Sequence, residues 1–311
     1  MMKKVWAALL AACMALSLTA CGSSDLADEL AKDLAKELQS GVEADQGAGQ
    51  NTDTQPVAAG DLKFEPITVA DNEYCKIVLS DMVEDDMFGG YAIKAEVENK
   101  SADKTYMFSV ESASINGLDA DPFFATEVPA GKKSNETISF YAASLEEAGV
   151  TQYTDVKMSF RVYDSDDWSA DPVAQETVEF YPYGEENAVQ YVRAAQASDQ
   201  VLVDDENATV IVTGFEMDDI FGYVGNLYIV NKTDKSIMVS VEDVSVNGYM
   251  IDPLFATQVE PGISKYSQMS WTEDDLTENG ITEVTDIEFT LEIHDYDSWD
   301  MLYSGACTVQ P

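Results

Sequence analysis

The sequence predicts an all-β chain built from two tandem antiparallel β-sandwiches, each interrupted by one short helix. Three observations predict it. The stretch "SINGLDADPFFATEV" (114–128) returns as "SVNGYMIDPLFATQV" (245–259), so one module is written twice. Strand-like runs such as "VKMSFRVYD" and "IEFTLEIHD" alternate apolar and polar residues with a period of two, the pattern of a sheet with one dry and one wet face. Asn116-Gly117 and Asn247-Gly248 stand between such runs, and Asn-Gly is the strongest short hairpin signal because both central residues need positive φ.

Taken in order, residues 1–20 read as an export leader. Lys3 and Lys4 precede the apolar run "VWAALLAACMALSL", which is too short for a comfortable membrane span. Leu18-Thr19-Ala20-Cys21 then resembles the lipobox of bacterial lipoproteins. That resemblance implies acylation of Cys21 as the first mature residue and a lipid hold on the membrane. Residues 21–60 follow as a short helix and a stalk. Leu26, Leu30, Leu34 and Leu38 form one apolar stripe, and "VEADQGAGQNTDTQPVAAG" is small, polar and without periodicity.

The first module is expected at 67–181, a linker at 182–200 and the second module at 201–311. Asn116 to Asn247, Thr154 to Thr285 and Trp168 to Trp299 are each 131 positions apart, a period that means tandem domains and not a solenoid. Asp86-Met87-Phe88-Gly89 answers Asp219-Ile220-Phe221-Gly222. Asp121-Pro122 and Asp252-Pro253 break a strand, Phe124 and Phe255 are expected in the core, and Pro129 with Gly131 and Pro261 with Gly262 mark a further turn. Ser144-Leu-Glu-Glu147 and Asp275-Leu-Thr-Glu278 have the form of capping boxes, with Gly149 and Gly280 as left-handed helix ends. About seven or eight short strands over about a hundred residues suggest an immunoglobulin-like sandwich.

The stretch "SVNGYMIDPLFATQV…PG…LTENGITEVTDIEFTLEIHDYDSWD" resembles an uncharacterised immunoglobulin-like repeat of surface lipoproteins in Clostridia and related Gram-positive bacteria. The resemblance implies an extracellular β-sandwich anchored by lipid on the outer face of the cytoplasmic membrane. It brings no activity and no catalytic residues. The first module departs from the pattern at "SINGLDADPFF", so the two surfaces need not bind alike.

Composition narrows the function. The chain has 311 residues, 58 acidic and 17 basic, for a formal net charge of −41. Such a surface repels phosphate backbones, which excludes a nucleic-acid partner. His294 is the single histidine, is expected on the polar side of its strand and is answered by Tyr163, so no repeated histidine chemistry exists. No Gly-rich phosphate loop appears. Cys13 leaves with the leader, and Cys75 and Cys307 are expected as free thiols. The chain therefore reads as a binding protein, not an enzyme, that presents its modules to a protein or glycan.

Two short words carry the alternative reading. Asp164, Asp166 and Asp167 precede Trp168, and Asp295, Asp297 and Asp300 surround Trp299. Carboxylates at alternate positions can converge on Ca²⁺, with Trp168 and Trp299 stacking on a sugar and Phe88 and Phe221 on neighbouring loops. Neither stretch matches the twelve-residue calcium loop, and both also read as solvated turns at a strand end.

Overall fold

The computed structural model describes residues 62–311. The leader, Cys21, the leucine stripe and the stalk lie outside the described residues. The chain divides into two compact units, the first ending at Val192 and the second running Arg193–Pro311.

In the first unit, β1 (Ile67–Asp71), β2 (Cys75–Glu84), β3 (Tyr91–Asn99), β4 (Tyr106–Ile115), β5 (Leu118–Asp119), β6 (Pro122–Phe123), β7 (Ala125–Val128), β8 (Lys133–Phe140), β9 (Val156–Asp164) and β10 (Ala174–Phe180) are all antiparallel. One sheet has the order β1-β2-β3-β8-β6, and the other runs β10-β9-β4 with β5 and β7 both paired to β4. Met158, Phe160 and Val162 of β9 are buried and Lys157, Ser159 and Arg161 are not, as the alternation predicts. Ile77 and Leu79 of β2, Ile93 and Val97 of β3, and Phe108 of β4 complete the dry faces.

The second unit repeats the plan. One sheet contains β11 (Gln200–Asp204), β12 (Ala208–Asp218), β13 (Gly222–Asn231) and β17 (Ser264–Trp271). The other has the order β15-β14-β18-β19, from β14 (Ile237–Val246), β15 (Tyr249–Met250), β18 (Ile287–Asp295) and β19 (Met301–Val309), with β16 (Ala256–Val259) also paired to β14. Val210, Leu227 and Met269 of the first sheet and Val239, Leu291 and Ile293 of the second belong to one buried cluster, so the sheets pack face to face. Trp271 is the largest side chain there, and its Nε1–H donates to Ile251 O at 3.0 Å. The bulges recur as well. β1 slips on β2 between Thr68 and Ala70, and β11 slips on β12 between Val201 and Val203.

Among the described residues each unit holds one short α-helix, α1 (Ala142–Glu147) and α2 (Glu273–Glu278). The caps are not where the sequence put them. Thr272 caps α2, accepting from Asp275 N at 3.2 Å, while Tyr141 stands at the start of α1 with no side-chain cap. Ser144 and Asp275 instead lie inside the first turns. The left-handed ends are as expected, Gly149 at φ 78° and Gly280 at φ 70°. Leu145 and Leu276 hold the helices to their sandwiches.

The segment expected as a linker at 182–200 is ordered against both units' own strands in turn. Its first part contains a 3₁₀ turn, Glu185–Asn187, and buried Tyr183 and Tyr191. Its second part begins with Arg193, whose guanidinium makes two bonds to Asp199, at 2.7 and 2.8 Å, and lies over the Tyr228 ring.

The polar interior is written twice. Asn99, at the end of β3, donates to Lys104 O and Val128 O and accepts from Ser101 N. Asn231, at the end of β13, donates to Lys235 O and Val259 O and accepts from Thr233 N. Both side chains are buried, and each ties a strand of one sheet to strand ends of the other. Replacing Asn99 by alanine strands two carbonyls and one N–H, and replacing Asn231 strands three carbonyls and one N–H, at a cost of roughly 3 kcal/mol in either case. Thermal melts of Asn99→Ala and Asn231→Ala are expected to lose roughly 10 °C in the affected unit; a shift under about 2 °C in both variants would show that these side chains do not hold the sheets together.

Candidate functional site

The Asp–Trp words occupy the β9–β10 and β18–β19 connections. In the first unit Asp164 Oδ1 accepts from Asp166 N at 3.1 Å, and Oδ2 takes the Lys104 ammonium at 2.6 Å. In the second, Asp295 Oδ1 accepts from Asp297 N and Ser298 N, and Oδ2 takes the Lys235 ammonium at 2.6 Å. Lys104 and Lys235 stand at the same 131-residue offset as their partners. The first aspartate of each word is thus a turn-closing residue neutralised by its own lysine.

The other carboxylates go elsewhere. Asp167 Oδ1 accepts from the Ser169 hydroxyl and Asp300 Oδ2 from the Ser298 hydroxyl. Asp166 and Asp297 contribute backbone N–H groups to the turns. Among the described residues no group of three His, Cys, Asp or Glu side chains is placed to hold a metal ion. Asp85 and Asp218 each close a turn of their own by accepting from Met87 N and Phe88 N or from Ile220 N and Phe221 N.

The aromatic candidates split. Trp168 is 73% exposed and Trp299 60%. Trp299 sits at φ 63° and stacks on the His294 ring, with centroids 5.2 Å apart and planes at 11°. That stacking corrects the expectation for His294. The residue does project from the outer side of β18, but Trp299 covers it and leaves it 8% exposed. Phe88 is half-buried against Phe123 and Tyr141, and Phe221 is half-buried. Neither phenylalanine is a free loop aromatic.

Cys75 and Cys307 are free thiols. Burial pushes the Cys75 thiol up to about 11 and also raises that of Cys307, so neither is a ready nucleophile at neutral pH.

Two features escaped the sequence reading. The first is the chemistry of β19, "MLYSGACTV", which contains no charged residue over nine positions in a chain of net charge −41. It pairs with β18 and ends its sheet, so its outer edge carries no strand among the described residues. Its counterpart β10, "AQETVEF", carries Glu176 and Glu179. Charge on an edge strand blocks pairing with another chain, and β19 lacks that protection. The absence of charge was readable, but only the topology makes this strand an edge. The second feature is the strap of residues 189–191, which returns over the Asn116–Gly117 hairpin: Tyr191 N donates to Asn116 O at 2.7 Å and Val189 N to Thr154 Oγ1 at 3.0 Å.

The ion pairs set an acid response. Lys235, helped by the Ser298 N–H, lowers the Asp295 carboxyl to about 2, and Lys104 lowers that of Asp164. A depressed carboxyl stabilises the fold above its unfolded value near 3.8, and that contribution is lost as pH falls through the folded value. Melting of Lys235→Met is therefore expected below wild type at pH 7, with the gap closing by pH 2. An equal gap at both pH values would remove the ion pair as its cause.

No protein-family model matches the chain, and no curated protein matches it. Solved structures that align with it include the YadV chaperone, at 10% identity over 70% of this chain and 92% of that one, with a TM-score of 0.24. The Salmonella enterica SafA pilin in complex with the SafB chaperone aligns at 10% identity over 78% and 100%, with a TM-score of 0.22. Red sea bream transglutaminase aligns at 12% identity over 74% and 31%, with a TM-score of 0.20. Likenesses at these scores carry no argument about what this chain does.

Proposed function

We propose that this chain is a non-enzymatic surface lipoprotein, held outside a Gram-positive-type cell by an acylated Cys21, whose two β-sandwich units present binding surfaces to a partner protein. The observation that carries the reading is the uncharged edge of β19. An acidic chain is kept apart from its neighbours by charge, and a nine-residue strand without charge is where that repulsion is relaxed. An extended segment of a partner can add to such an edge through main-chain hydrogen bonds. The polar residues of the repeated words support the same reading from the other side. Asp164, Asp295, Asn99 and Asn231 are committed to closing turns and joining strands, which leaves edges and exposed apolar loops as contact surface.

Ser304, Ala306 and Thr308 are exposed on β19. The double variant Ala306→Lys, Thr308→Lys is expected to keep its melting temperature and to lose capture of a protein from surface extracts of the source cell. Identical capture by variant and wild type, or capture by neither, would remove the edge strand as the binding surface. Anchoring has its own test. Cys21→Ser is expected to abolish labelling by radioactive palmitate and to release the chain into the medium; a variant that stayed with the membrane would rule out the lipid anchor.

A further inference from the structure

Charge is neutralised at one end of the first unit and left bare at the other. Where β2 begins and β9 ends, Lys100 pairs with Asp71, and Lys104 pairs with Asp164 at 2.6 Å. The opposite end of β2 leads into the β2–β3 turn (84–91). Beside that turn lie residues 121–123, which include β6, and residues 141–147, which include α1. None of these three stretches contains a Lys, Arg or His. Glu84, Asp86 and Glu146 are exposed there and Asp121 is half-buried, with no base in these stretches to neutralise them.

Apolar side chains gather at the same bare end. The Phe88 ring lies 5.4 Å from that of Phe123 and 5.7 Å from that of Tyr141, centroid to centroid. Met87 is 49% exposed and Phe123 41%. The turn between them is fixed from within. Asp85 Oδ1 accepts from Met87 N and Phe88 N at 2.9 and 3.2 Å, and Gly89 and Gly90 take φ of 78° and 62°. The surface is therefore set before any partner arrives, which lowers the ordering cost of binding.

Two buried atoms sharpen the electrostatics. Asp85 Oδ2 and the Tyr153 hydroxyl have no hydrogen-bond partner, and that hydroxyl lies under Gly90. A carboxylate oxygen left without a donor in a poorly solvated place is stabilised by a cation brought near it. The sequence repeats the tip in the second unit. Ile220 stands for Met87, Phe221 for Phe88 and Leu254 for Phe123, and residues 217–223, 252–254 and 272–278 again contain no base.

Charge decides the occupant. An apolar patch rimmed by bare carboxylates repels a second copy of itself and an anionic bilayer. It also repels the chain's own Leu26–Leu38 stretch, which holds more acids than lysines. A turn offers no strand edge to extend, whereas an amphipathic helix brings apolar residues to one side with bases flanking them.

We propose that the β2–β3 tip of the first unit docks a cationic amphipathic helix of a partner protein. The helix lays its apolar face on Met87 and Phe123 and sets its Lys or Arg side chains against Glu84, Asp86, Asp121 and Glu146. The site rests on the binding reading above and gives it a second surface, separate from β19, with a stated partner chemistry.

The test titrates the full chain into a fluorescein-labelled peptide of about 18 residues, built from leucine and lysine with the leucines at helical spacing. Anisotropy is read in about 0.15 M salt, where attraction between exposed charges beyond about 8 Å is screened. Saturable binding is expected, weakened about tenfold or more by Met87→Ser and by Phe123→Ser, neither of which changes a charge. The pair Asp86→Asn, Glu146→Gln is expected to weaken it as well. Tyr74→Ser, at the lysine-paired end, and the β19 double variant are expected to bind as wild type, with melting temperatures confirming that every variant is folded. Absence of saturable binding overturns the proposal, as does equal affinity for a leucine–glutamate peptide of the same pattern. Binding that only the charge variants weaken also overturns it, because diffuse attraction would then explain the result without a site. Three other occupants have their own signatures, each of which sinks the proposal. They are capture of phosphatidylglycerol vesicles lost in Phe123→Ser, a dimer of the full chain dissolved by that variant, and peptide binding tightened tenfold when residues 26–38 are removed. The β19 variant and the tip variants are read separately, so failure of this site is distinguishable from failure of the edge strand.

Discussion

A β-sandwich leaves main-chain groups without partners wherever a connection crosses from one sheet to the other, and here asparagine supplies the missing bonds. Each carboxamide offers two donors and one acceptor that can serve three backbone groups at once. Asn99 stands where β3 ends and holds the carbonyl that precedes β4 and the carbonyl that ends β7, so one side chain fixes strands of both sheets. Asn231 does the same with an added bond to Glu260 O. A second asparagine in each unit locks the Asn-Gly hairpin onto the loop before β9 or β18. Without these clasps the buried backbone groups would have to face an apolar interior unpaired, which costs more per group than a typical bond returns.

That constraint explains why the repeated words belong to scaffold. Asn, Asp, Thr and Gly are also the residues a binding site would use, and on the page of a sequence the two uses look the same. The structure separates them by asking where each polar atom goes. Asp164 and Asp295 each spend one oxygen on turn amides and the other on a lysine sixty residues away in the chain. A carboxylate so engaged serves the fold first.

Much of the architecture was legible because it depends on short-range pattern. The 131-residue repeat, the alternation in β9 and β18, and the Asn-Gly turns all follow from neighbours along the chain. The helix ends were legible only at the C-terminal side, where Gly149 and Gly280 must be left-handed. Their starts were misplaced because Ser144 and Asp275 have capping chemistry, yet Tyr141 and Thr272 occupy the positions where the strand turns into the helix. The burial of His294 was not legible at all. It follows from Trp299 folding back with positive φ after a bulge between Ile293 and His294, a contact that no spacing rule encodes. The Lys104–Asp164 and Lys235–Asp295 pairs had a visible signal, the shared offset, but their meaning needed strands β4 and β14 set beside β9 and β18.

The two copies keep what folds them and differ in what they show to solvent. Where the first unit covers its hairpin end with Val189–Tyr191, the second leaves Thr285 and Gly248 open and places Tyr249 and Met250 alongside. Where β10 carries two glutamates, β19 carries none. Both differences expose apolar or uncharged surface on the second unit, in a chain whose overall charge opposes adventitious contact. Random drift in an acidic protein has many acidic residues to place, and an edge of nine residues without one is the less expected outcome. The units therefore share one frame and differ in the surface laid over it.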